Sequence, residues 1–121
     1  MLVLLALPNA LLAEDDARAP FFGIWGTAQQ CARAPIKPGG SVLAEPFEIG
    51  AEWLKQGPLW CGLDWFPVQA RQNGAFTGAR AQCGEDSIQG YNLRMELSDD
   101  ALTLRWGFLI SNGPLMRCPA S

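Results

Sequence analysis

The sequence predicts an all-β domain: a small antiparallel meander forming a barrel or a strongly curled sheet, with one or two short helical turns. Three observations carry this. Tyr91, Leu93, Met95 and Leu97 alternate with Asn92, Arg94 and Glu96, and Leu102, Leu104 and Trp106 alternate with Thr103 and Arg105; a period of two marks half-buried strands. Turn signals at Gln72-Asn73-Gly74, Asp99-Asp100 and Asn112-Gly113-Pro114 are spaced as in a meander. No stretch keeps a helical period for long. The expected count is about six or seven strands.

In chain order, Met1 to Leu12 is apolar except for Pro8 and Asn9. That run is too short to span a membrane and has the length of a signal-peptide apolar region. Leu11-Leu12-Ala13 before Glu14-Asp15-Asp16 supplies a cleavage site, although no Lys or Arg precedes the run. Residues 1–13 therefore read as a signal peptide, 14–20 as a loose mature N-terminus, and 21–121 as one disulfide-bonded domain. Phe21 to Gly26 reads as a short strand. Thr27-Ala28-Gln29-Gln30 has the pattern of a capping box opening one helical turn that carries Cys31. Pro35 and Pro38-Gly39-Gly40 break the chain into a loop. Val42 to Ile49 is extended, with Pro46 placing it at an edge or bend. Glu52 to Gln56 reads as a second helical turn, closed by Gly57 and stopped by Pro58.

Composition limits the function. Four cysteines with no C-x-x-C spacing, in a short exported chain, imply a disulfide framework and a periplasmic or secreted location. The absence of histidine removes Ser-His-Asp and Cys-His catalysis, and no phosphate-binding glycine motif is present. A net charge of −3 argues against nucleic acid as a partner. No cofactor or metal is implied, and no stable membrane span remains once the signal is cleaved.

Register arithmetic sharpens this. Residues opposed in a hairpin sum to a constant, so a turn about Gln72 sets Cys61 opposite Cys83 and Asp64 opposite Arg80. Four cysteines allow three connectivities. This register favours Cys61–Cys83, leaving Cys31–Cys118. Leu63, Trp65, Ala79 and Ala81 then face inward with the cysteines, while Trp60, Asp64, Phe66, Phe76 and Arg80 face outward. Setting Cys83 opposite Tyr91 brings Arg80 opposite Arg94. The Asp99-Asp100 turn brings Arg94 opposite Arg105, and a turn centred on Ser111 adds Arg117. Asp64, Arg80, Arg94, Arg105 and Arg117 would then form one outer row, with Trp60 and Phe66 at its margin.

Opposed like charges are destabilising, and an anionic partner would relieve them; the alternative is a solvated sheet face. A two-residue loop at Asn112-Gly113 would shift the parity, which a bulge at Gly107 would repair. Trp25, Trp65 and Trp106 fall at core positions, whereas Trp60 and Phe66 are either covered by Trp53-Leu54 or form an exposed patch. Cys83-Gly84-Glu85-Asp86-Ser87 reads as a hydrogen-bonded turn, with a calcium site or an acid/base pair as the functional alternative.

These residues point to a non-enzymatic binding or interaction module for an envelope protein or an anionic ligand. The alternatives are a small periplasmic hydrolase using Asp64 or Glu85/Asp86, and an inhibitor of a lysozyme-type enzyme.

Gly23-Ile24-Trp25 before Cys31, Trp60-Cys61, Cys83-Gly84-Glu85-Asp86 and Gly113-Pro114-Leu115-Met116-Arg117-Cys118 together resemble small exported disulfide-containing proteins of alphaproteobacteria, a group that implies no activity. The expected architecture is also similar to that of periplasmic c-type lysozyme inhibitors, which are small disulfide-bonded β-barrels. Their Ser-Gly-x-x-Tyr segment is only loosely echoed by Ser87-Ile88-Gln89-Gly90-Tyr91.

Overall fold

Nine strands follow one another through the computed structural model, which describes residues 16–32, 45–84, 89–107 and 110–119. They are β1 (Gly23–Gly26), β2 (Phe47–Ile49), β3 (Trp53–Gln56), β4 (Leu59–Trp65), β5 (Gln69–Arg71), β6 (Gly74–Cys83), β7 (Gln89–Ser98), β8 (Ala101–Trp106) and β9 (Ser111–Arg117). Each pairs antiparallel with its neighbour, β4 with β6 and β9 with β1. Eight strands thus close into an up-and-down barrel, and closure removes the sheet edges that would otherwise invite aggregation. The short β5 continues along β6 beyond the end of β4. Among the described residues the helical content is slight: a 3-10 turn at Ala19–Phe21 and one α-turn, α1 (Ala28–Cys31), which carries the Thr27–Gln30 capping box.

The core follows from strand alternation. Leu54, Cys61, Ala79, Ala81, Leu93, Met95, Leu97, Leu102 and Leu104 point inward and are buried, with Leu63, Trp65 and Trp106 packed against them. Ala79 and Ala81 sit opposite Trp65 and Leu63, so small residues make room for large ones across the β4–β6 pair.

Residues 52–57 form no helical turn. Trp53, Leu54, Lys55 and Gln56 are a strand with Leu54 and Gln56 inward, and Gly57-Pro58 is the tight turn that returns the chain as β4. Four residues are too few to distinguish a period of 2 from one of 3.6.

One end of the barrel is plugged. The 3-10 turn drives Phe21 into the core beside Trp65, at 5.9 Å between ring centroids. Trp25 Nε1 donates to Phe21 O at 3.0 Å, and Trp65 Nε1 to Ala51 O at 2.8 Å. Residues 16–20, expected to lie loose, are tied in here. Arg18 donates to both Asp16 carboxylate oxygens and to Ala51 O, and it covers the rings of Phe22 and Trp65. Residues 1–13, Glu14 and the 35–40 loop lie outside the described residues.

Both disulfides have the favoured pairing, Cys31–Cys118 and Cys61–Cys83. The second joins directly opposed residues of β4 and β6. The first ties the turn after β1 to the residue after β9, across the junction of the terminal strands.

Candidate functional site

The outer face of β4, β5, β6 and β7 carries most of the residues marked in the sequence. Trp60, Asp64 and Phe66 share the outer side of β4, and neither aromatic is covered by Trp53: Trp60 is 49% exposed and Phe66 55%. Trp53 instead lies against Gly50 and under the Lys55 ammonium, 4.2 Å from its ring centroid.

The row of five does not form. Asp64 is opposite Arg80 and Arg94 opposite Arg105, as expected. However, Cys83 pairs with Gln89 rather than Tyr91, so Arg80 faces Asn92 and donates to its Oδ1 at 3.4 Å. Arg94 faces Gly78. β7 begins two residues before the visible alternation, because Gln89 and Gly90 carry no apolar signal. Arg105 is partnered by Glu96 at 3.2 Å.

Arg117 belongs elsewhere. A register shift lies between Leu102 and Leu104, where one residue of β8 faces Gly113 and Pro114 of β9. This bulge, at Gly113 rather than at Gly107, where a two-residue loop would have needed one, lets both Asn112 and Leu115 turn inward. Arg117 consequently shares the side of Trp25, lies 4.2 Å over its ring, and donates to Phe22 O and Pro20 O at the plugged end.

What remains outside is a narrower site. Between Phe66, Phe76 and Arg94 lies a groove of about 340 Å³ floored by Gly78. A side chain at Gly78 would come within 3.2 Å of the Phe66 ring, so the bare backbone leaves the groove open. Phe76 lies diagonally between two guanidiniums, Arg71 on β5 and Arg94 on β7, whose carbon atoms are 4.9 and 5.5 Å from its ring centroid. Neither has a carboxylate within 4.0 Å among the described residues. Arg71 and Gly78 were not legible as site residues, since only the pairing brings them to Phe76.

Asp64, the sequence candidate for acid/base chemistry, borders a broad hollow of about 500 Å³ with Asp16, Glu52 and Arg18. Asp16, Glu52 and Asp64 are all exposed, and that open setting gives little of the water exclusion on which such chemistry draws. Glu85, Asp86 and Ser87 lie outside the described residues, as does Ile88 of the segment ending at Tyr91. Among the described residues no group of three metal-ligating side chains converges, and no helix is long and apolar enough to cross a membrane.

No protein-family model matches the chain, and none of the curated proteins or solved structures compared with it does so.

Proposed function

We propose that the protein is an exported, non-enzymatic binding module, working in the periplasm or outside the cell, that captures an anionic group of a ligand or envelope partner on the outside of its barrel. One observation carries the reading. Arg71 and Arg94 flank Phe76 beside an open groove, and both lack a carboxylate partner among the described residues.

A guanidinium stacked on an aromatic face keeps its in-plane N–H donors free for a carboxylate. Stacking also restricts its motion, so less side-chain entropy is lost on binding. Phe66 and Phe76 add apolar contact for the body of the ligand. The two disulfides support the exported location.

Benzoate is a suitable minimal probe, because it joins a carboxylate to a ring of the groove's size. In an NMR titration it should shift the Arg71 and Arg94 side-chain Nε–H signals together. The Arg71→Glu, Arg94→Glu double variant should lose that response, and persistence of benzoate binding in the double variant would refute the proposal.

A further inference from the structure

The barrel's other end opens into an apolar cavity of about 260 Å³, lined in part by Phe47, Leu54, Tyr91 and Trp106. The last two meet edge to face, 6.3 Å between centroids. No side chain on the described lining is charged.

Two amides interrupt this apolar wall, and their orientations follow from chemistry. Trp106 Nε1–H is only a donor and bonds Asn112 Oδ1 at 2.9 Å, so the Asn112 amide nitrogen is left over. Glu45 O is only an acceptor and receives the Gln56 amide nitrogen at 3.1 Å, so Gln56 Oε1 is left over. Gln56 is 4% exposed, and its Oε1 accepts no hydrogen bond among the described residues. Yet among the described residues no side-chain oxygen or nitrogen is both sealed from solvent and unpaired. The cavity that Gln56 lines is what reaches its oxygen.

We infer that this mouth binds a small neutral molecule, mostly apolar, bearing one hydrogen-bond donor and one acceptor as in a primary amide. Gln56 Oε1 takes the donor and the Asn112 amide nitrogen supplies the acceptor's partner. The ligand is neutral because no charged side chain stands on the described lining, so a charge moved against it loses its hydration uncompensated. It is small because the volume falls below the roughly 300–1,000 Å³ usual for drug-sized ligands. This site is on the opposite side of the wall from the Arg71–Phe76–Arg94 groove and does not depend on it.

Benzamide tests the assignment on the full-length protein. In a titration followed by NMR, the Trp106 indole N–H and the Gln56 and Asn112 side-chain amides should shift together and saturate. Benzoate, the same ring with a charge, should affect these three signals at least about tenfold more weakly. Gln56→Leu should weaken benzamide about fivefold and leave toluene unchanged. Leu59→Trp, at an exposed rim position, should block both. Absence of a benzamide response in the unmodified protein, or benzamide and benzoate acting equally on these signals, would overturn the inference without any variant being needed. Loss of the benzoate response at Arg71 and Arg94 would bear only on the outer groove.

Discussion

Thr77 Oγ1 donates to Phe66 O at 2.9 Å, tying the exposed wall of the outer groove to a buried position inside the barrel. Phe66 N still bonds Gly78 O, but beyond it the chain leaves β6 until Gln69 pairs with Phe76. Three residues, 66–68, therefore face two, and the buried hydroxyl takes up the carbonyl released at this bulge. Thr77→Val keeps the shape and deletes the donor. The expected cost is about 1–2 kcal/mol, measured by urea denaturation, with weaker benzoate binding although no arginine has changed. Unaltered stability would mean that water replaces the hydroxyl there.

The bulge in β9 can be tested at Gly113, whose φ of +134° is one that residues with a side chain rarely adopt. A Cβ there would lie 2.7 Å from Leu102 O. Gly113→Ala should cost about 1–3 kcal/mol in urea unfolding. A variant as stable as the parent would show that β8 and β9 meet in another register.

The two bulges also mark where the sequence was legible. Strand alternation disclosed the core faces of β7 and β8, and the Asp99-Asp100 turn, with both residues at positive φ, placed Arg94 opposite Arg105. Cys61 opposite Cys83 was reached by two offsets that cancel. The turn is Gln72-Asn73, with Arg71 opposite Gly74, one residue out from a turn about Gln72. The bulge at 66–68 then restores the sum. No comparable compensation exists in β9, so Arg117 changed sides. Bulges leave only a weak trace in side-chain pattern, because they are set by a few hydrogen bonds and by glycine geometry. The groove was half legible for the same reason. Phe66 and Phe76 were marked by the hairpin register and Arg94 by alternation, while Arg71 and Gly78 depend on pairings that the bulge defines.

The plug at the N-terminal end should respond to acid. The side-chain hydrogen bond from Arg18, and then its backbone N–H, hold the Asp16 carboxyl below its ordinary pKa. A carboxyl depressed on folding contributes stability that is complete above its unfolded pKa, near about 4, and is lost as pH falls through the lower folded value. The pair is exposed, so the effect should be local. The protection factors of the Phe21 and Phe22 amides should fall below about pH 4, and Asp16→Asn should bring that lower protection to neutral pH. Acid sensitivity unchanged by Asp16→Asn would assign it to another carboxylate.

The junction between the terminal strands is where the barrel should open first. β1 and β9 share two paired positions, Trp25 with Arg117 and Gly26 with Met116, followed by the Cys118 N–H to Ile24 O bond at 2.7 Å. β4 and β6 share five. The short junction is backed by the Cys31–Cys118 bridge, which spans 87 residues, whereas Cys61–Cys83 spans 22. The chain-entropy argument gives about 4–5 kcal/mol for the longer loop and about 3 kcal/mol for the shorter, both upper figures where the unfolded chain retains structure. Cys31→Ser with Cys118→Ser should therefore lower stability by up to about 4 kcal/mol in urea. The loss should also have a place. Protection of the Cys118-position amide should fall before that of Gly62 and Gln82, which pair within the intact β4–β6 ladder. Equal loss of protection at both junctions would show that the barrel opens as one unit and that the bridge does not act locally at the β1–β9 junction.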